Sequence, residues 1–101
     1  MSAPANLSAS PNCAVHDSGM ASAPFRTAGA SLDIALMRLD ADVAETSGPE
    51  EMLAVLEGGL RLVCPEEVHD LKAGQGVLIP ADVPHRLEVQ VPTLVYRVRA
   101  K

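Results

Sequence analysis

The chain has 101 residues, of which 48% are apolar and 21% are charged, and its thirteen acids against eight bases give a net charge of −5. This length predicts a single domain, since domains usually have about 100–200 residues, and no apolar run approaches the ~18 residues of a membrane helix. Residues 40–70 hold nine of the acids and one base. Because such a surface repels phosphate, we do not expect a nucleic-acid partner, and without a basic, apolar leader we expect a cytoplasmic protein with no membrane partner.

The chain divides into two segments of different composition. In residues 1–24, fourteen positions are Ala, Ser or Pro, which predicts a disordered or loosely attached N-terminal arm, although part of it could instead pair with a partner subunit. Residues 25–101 form short runs rich in Val, Ile, Leu and Thr between glycines and prolines, which predicts one all-β domain. The predicted strands are Arg26–Thr27, Asp33–Leu39, Met52–Leu56, Leu60–Cys64, His69–Leu71, Gly76–Ile79, His85–Gln90 and Leu94–Arg99.

Three local patterns refine this all-β prediction. Gly58 and Gly59 between two apolar runs predict a tight hairpin turn. Met52–Leu56 is apolar at every position, so both faces of that strand must be covered, one by the core and the other by a second sheet or a second subunit. We favour a homodimer. The C-terminal bases, Arg86 to Lys101, indicate either a charged sheet edge that discourages aggregation or an edge that contacts an anion, and we favour the first interpretation.

Two spaced motifs resemble the signatures of the cupin superfamily. Glu51 is followed by six residues and then Gly58, and Gly74 is followed by five residues, Pro80, and His85 five positions later. In cupins the first motif reads G-x5-H-x-H-x3 or x4-E-x6-G and the second reads G-x5-P-x-G-x2-H-x3-N. The resemblance covers about half of the chain and implies an all-β, cupin-like jelly-roll β-barrel.

The sequence departs from the cupin pattern where cupins bind a divalent metal. The resemblance implies that Glu51 and His85 point into the barrel as ligands, but neither register of the first motif supplies its two histidines, and only Glu45 offers a tentative third ligand for Fe, Mn, Ni or Zn. Asp82 also replaces the glycine of the second motif, and Val89 replaces its asparagine. A catalytic site needs about three protein ligands, so we favour a buried, hydrogen-bonded pair of Glu51 and His85 without metal.

Two functional hypotheses remain. The favoured one is a non-catalytic, dimeric cupin that binds a small molecule in its barrel. The alternative is a metal-dependent cupin enzyme, an oxygenase, isomerase or decarboxylase, that acts on a small polar substrate through His85, Glu51 and Glu45. No catalytic residue is assigned. The predicted ligand-binding residues are Glu51, His85, Leu53, Val55 and Leu78.

Overall fold

The computed structural model describes residues 25–101 in full and, as backbone, two short strands before them. These are β1 (Leu7–Ala9) and β2 (Ala14–His16), which pair antiparallel. The predicted disorder of residues 1–24 falls mainly outside the described residues. The remaining strands are β3 (Phe25–Ala28), β4 (Leu32–Leu39), β5 (Val43–Thr46), β6 (Glu51–Glu57), β7 (Gly59–Val63), β8 (Val68–Lys72), β9 (Gly76–Ile79), β10 (His85–Val89) and β11 (Thr93–Ala100).

Strands β3 to β11 form two antiparallel sheets. The first has the order β5-β10-β7-β8, and the second has the order β3-β4-β11-β6-β9. No helix occurs among the described residues, and consequently none there is long and apolar enough to cross a membrane. Facing antiparallel sheets linked by crossovers are the jelly-roll arrangement, which confirms the predicted all-β fold class.

The core lies between the two sheets, because alternate side chains of each strand point inward. Its buried members are Leu53, Val55, Ile79 and Val95 from one sheet and Leu60, Leu62, Leu87 and Val89 from the other. On the opposite face of β6, Met52 and Ala54 are half-buried and Leu56 is 41% exposed. Neighbouring Leu78 of β9 is 62% exposed on this outer face. The strand is thus apolar on both faces as predicted, and its coverage by a second subunit stays a prediction.

Gly58 forms a corner between the sheets, so the predicted hairpin is wrong. Strand β6 pairs with β11 and β9, whereas β7 pairs with β10 and β8 in the other sheet. Gly58 has a φ of +82°, and a Cβ there would lie 2.4 Å from the carbonyl oxygen of Pro92. Only glycine fits this corner, because it accepts positive φ and has no Cβ to clash. The hydroxyl of Thr93 accepts a hydrogen bond from Gly59 N at 3.2 Å, which ties the corner to β11.

Strand β11 lies between β4 and β6, in the interior of the five-stranded sheet. The prediction of a charged sheet edge is therefore wrong for Arg97 and Arg99, which occupy an interior strand. Within residues 25–101, sequence analysis missed strand β5, which lies at the edge of the other sheet, next to β10. Asp42 holds that edge in place, since its carboxylate accepts a hydrogen bond of 2.7 Å from Val89 N.

Candidate functional site

Glu51 and His85 meet between the two sheets. Glu51 is the first residue of β6 and His85 the first of β10, and they are 7% and 6% exposed. The Nε2 atom of His85 lies 3.7 Å from Oε1 of Glu51. This separation is that of an ion-pair contact rather than a hydrogen bond. The two residues are buried and in contact as predicted, but the predicted hydrogen bond between them is absent.

The loop before β10 fixes the orientation of His85. Nδ1 lies 2.9 Å from the carbonyl oxygen of Val83, and because a carbonyl only accepts, Nδ1 carries a proton and donates it. The loop is held by Asp82, whose backbone N donates to the carbonyl oxygen of Gly48 at 2.8 Å. Asp82 has a φ of 64°, a conformation that glycine adopts freely and Asp tolerates better than most residues. Asp82 can therefore take the place of the glycine in the cupin motif. With Nδ1 of His85 bound to Val83, its Nε2 faces Glu51.

Two arginines of β11 belong to the same cluster. Arg99 lies opposite Glu51 in the β11–β6 register, and its Nη2 is 3.5 Å from the same Oε1 of Glu51. Arg97, two residues earlier, is on the same face, opposite Leu53. The Nε atoms of Arg97 and Arg99 are buried without a hydrogen-bond partner among the described residues. Burial, and next the charge of Arg99, lower the pKa of Arg97. The cluster thus holds two guanidinium groups with unused donors.

A cavity of about 130 Å³ opens beside this cluster. It is lined by Met37, Leu39, Val43, Thr46, Glu51, Leu53, His85, Arg86, Leu87, Arg97 and Arg99. A second hollow of about 420 Å³ is lined by Arg26, Thr27, Ala28, Asp33, Ile34, Arg97 and Arg99. Because both hollows share the two arginines of β11, these side chains separate the apolar interior from a more polar groove. We call the two spaces the inner cavity and the arginine groove.

The structure brings some of the predicted site residues together and places others elsewhere. Glu51, His85 and Leu53 line the inner cavity. Val55, two residues after Leu53 on β6, lies in the core. Leu78 points to the outer face of its strand, because Val77 and Ile79 on either side of it point inward. Glu45 is exposed on β5 and does not line the cavity.

The arginines of the site are the residues that sequence analysis did not assign to it. Arg97 and Arg99 alternate with Tyr96 and Val98 in a run that the sequence already identifies as a strand. Period-two alternation places both arginines on one face. The sequence therefore indicates that Arg97 and Arg99 lie on the same face of the strand. Only the β11–β6 register shows that this face also carries Glu51.

The donor set of this cluster does not fit a divalent metal. Within residues 25–101, no group of three or more His, Cys, Asp or Glu side chains is placed to hold a metal ion. Glu51 and His85 provide two donors where a catalytic site needs about three. Moreover, Arg99 already contacts the carboxylate of Glu51, and Arg97 adds a second positive charge nearby. These charges oppose a cation at the position that the motif resemblance suggests for one.

The jelly roll with Glu51 and His85 facing each other defines a cupin-like protein. Comparison with known families agrees: the cupin domain family matches residues 43–94, and the chain belongs to this family. No curated protein matches the chain.

Solved structures share the fold at low sequence identity. A cupin-2 domain containing protein from Shewanella frigidimarina superposes with a TM-score of 0.69 at 17% identity, covering 79% of this chain and 81% of that one. KdgF from Halomonas sp. gives a TM-score of 0.69 at 16% identity, covering 76% and 77%. A salicylate 1,2-dioxygenase mutant from Pseudoaminobacter salicylatoxidans gives 0.67 at 23%, covering 76% of this chain and 25% of the dioxygenase. Identities at this level establish the fold and leave the activity open.

Proposed function

We propose that this cupin domain binds a small organic molecule in the inner cavity and does not catalyse a reaction on it. The observation that carries the proposal is the contact of Glu51 with both His85 and Arg99, at 3.7 and 3.5 Å. The carboxylate of Glu51 already contacts these cationic or polar partners. It is therefore not free to act as a base, nor is it one ligand in a complete set of metal ligands. A cavity that is mostly apolar with a few convergent polar groups is the usual form of a small-molecule site.

A metal-dependent cupin enzyme is the second candidate. It is favoured by one observation, the meeting of Glu51 and His85 at the two motif positions that resemble cupin metal ligands. A bound metal would supply a Lewis acid or an oxygen-activating centre there. The proposal of a metal-free site rests on the missing third donor and on the arginines of β11.

Metal content distinguishes these two candidates. We would purify the protein without a metal-binding tag, incubate it with Fe(II), Mn(II), Ni(II) or Zn(II), desalt it, and measure bound metal by elemental analysis. His85→Ala tests the site, and His69→Ala is the matched control because the side chain of His69 is exposed and lies 3.2 Å from Glu67, away from the inner cavity. We expect no retained metal in any of the three proteins. Near-stoichiometric metal that is lost in His85→Ala and kept in His69→Ala would establish the second candidate instead.

Ligand binding is tested separately from metal content. A panel of small anionic, neutral and cationic organic molecules, titrated into the metal-free protein and followed by NMR, should give saturable shifts for residues that line the inner cavity. Leu53 and Leu87 are suitable reporters because they are buried on opposite walls. If every molecule in the panel leaves these resonances unmoved, the proposal of a small-molecule site is refuted.

A further inference from the structure

We infer that the ligand of the inner cavity is a small organic carboxylate, bound by the guanidinium groups of Arg97 and Arg99 with its apolar part among the aliphatic side chains. This inference rests on the proposed function, since it names the chemical class of ligand for the same site. It goes further in assigning the recognition to two arginines that the cupin motifs do not include.

The first support is the unused hydrogen-bonding capacity of the arginines. The Nε–H groups of Arg97 and Arg99 are buried and have no partner among the described residues. A buried donor without a partner costs free energy, which an acceptor at that position recovers. Arginine offers its donors as a planar fork that matches the two oxygens of a carboxylate. The two side chains therefore present an incomplete anion site rather than a finished network of ion pairs.

The second support is the charge of the cluster. Three bases, Arg86, Arg97 and Arg99, and one acid, Glu51, line the inner cavity. Arg86 is paired with Glu88 at 2.9 Å, so with His85 counted as neutral one positive charge remains at the cavity wall. Arg26 and Asp33 also line the arginine groove and add one charge of each sign, so they leave this remainder unchanged. A single negative charge on the ligand would neutralise the remainder. A carboxylate carries that charge, whereas a phosphate with a second negative charge would exceed it.

The third support is the size and the lining of the space. The inner cavity, of about 130 Å³, has room for more than one water molecule. Apart from the charged groups, His85 and Thr46, its walls are apolar and include Leu39, Leu53 and Leu87. This combination suits a compact carboxylate with a short apolar body. The arginine groove on the other side of Arg97 and Arg99 provides a polar route by which an anion can reach them.

An NMR titration with matched probes tests this inference. Butyrate and butyramide have nearly the same shape and differ in charge, and inorganic phosphate tests the other common oxyanion. At constant ionic strength, we expect butyrate to give saturable shifts of the Nε–H resonances of Arg97 and Arg99. Butyramide should give none, and phosphate should bind more weakly than butyrate. Tighter binding of phosphate, or equal binding of the amide, would overturn the assignment to a carboxylate.

Two variants complete the test. Arg97→Gln should weaken the binding of butyrate at least about tenfold, or about 1.4 kcal/mol, because it removes a charged hydrogen-bond donor group. Arg61→Gln is the control with the same change in charge, because Arg61 is exposed and paired with Asp70 at 2.8 Å. It should bind butyrate like the wild type. If Arg97→Gln does not fold, the Nε–H shifts of the wild-type protein still decide the question.

The outcomes separate this inference from the proposed function. Saturable binding of neutral molecules at Leu53 and Leu87, with no response at the arginines, would refute the carboxylate and leave the small-molecule site standing. No binding of any probe would refute both. Binding of butyrate that is unaffected in Arg97→Gln would refute the role of Arg97.

Discussion

Replacing Glu51 with Gln should destabilise the protein more than the equivalent change elsewhere on the same strand. The substitution keeps the shape of the side chain and removes its charge. Oε1 of Glu51 contacts Arg99 and His85, and the residue is 7% exposed, so water cannot take the place of the lost charge. The guanidinium groups of Arg97 and Arg99 would then share the wall of the inner cavity with no negative charge between them.

The magnitude follows from the burial of the partners. Removing one member of a fully buried charge pair costs about 3–5 kcal/mol. Arg99 keeps 33% of its side chain exposed, and solvent therefore screens part of this loss. We expect a loss of about 1.5–3 kcal/mol in the free energy of unfolding, which corresponds to a fall in Tm of about 4–8 °C per kcal/mol for a domain of this size.

Urea denaturation at neutral pH measures this loss directly. Glu57→Gln is the matched control, because Glu57 lies on the same strand, is 53% exposed, and stands 3.9 Å from Arg38. An exposed pair at this distance contributes about 0–1 kcal/mol, so the control should change little. The reasoning fails if Glu51→Gln is as stable as Glu57→Gln, because the carboxylate would then not be balancing the arginines.

Three other predictions follow from separate features. Gly58→Ala should cost about 1–3 kcal/mol more in urea denaturation than Gly74→Ala, since both have positive φ but only Gly58 lacks space for a Cβ; equal losses would contradict this. Burial raises the pKa of the Cys64 thiol, so the neutral thiol stabilises the folded state, and this contribution to stability is lost as pH rises. The rate at which iodoacetamide alkylates Cys64, followed by peptide mapping over a pH series, should reach its midpoint at higher pH in the native protein than in the unfolded protein. A lower native midpoint would refute this prediction. If a homodimer forms through the outer face of β6 and β9, Leu78→Glu should yield monomers in light scattering. Val68→Glu is the control, since Val68 is 57% exposed on the other sheet against 62% for Leu78, and it should keep the dimer; identical masses of the two variants would exclude that interface.

Features of the fold that depend on local sequence could be predicted, whereas those that depend on contacts between distant segments could not. The spacing of Glu51, Gly58, Gly74, Pro80 and His85 was sufficient to predict the cupin resemblance and the all-β jelly-roll fold that it implies. The hairpin predicted at Gly58 was wrong because a positive φ permits a reversal but does not determine which sheet the next strand joins. That choice depends on pairing with β10 and β11, more than twenty residues later in the chain.

Strand β5 was missed for a related reason. Its sequence, Val43–Thr46, follows two aspartates and carries Glu45, so it has neither the apolar alternation nor the length that indicates a strand. It becomes a strand because β10 offers a free edge and because Asp42 accepts a hydrogen bond from Val89 at that edge. Both partners lie roughly forty residues away in the sequence, where no local pattern can indicate them.

The absent histidines and the inward arginines together determine the chemistry of the site. Thr46 lies opposite His85 on β5, lines the inner cavity, and occupies one of the two positions that the four-residue register of the cupin motif gives to histidine. A third nitrogen there would complete a set of donors, yet Arg99 would still contact Glu51 and oppose a cation. With threonine at this position, the carboxylate of Glu51 faces the guanidinium of Arg99, and the positive charge of the cavity wall comes from the protein itself. A positively charged wall beside an apolar cavity selects for a negatively charged ligand.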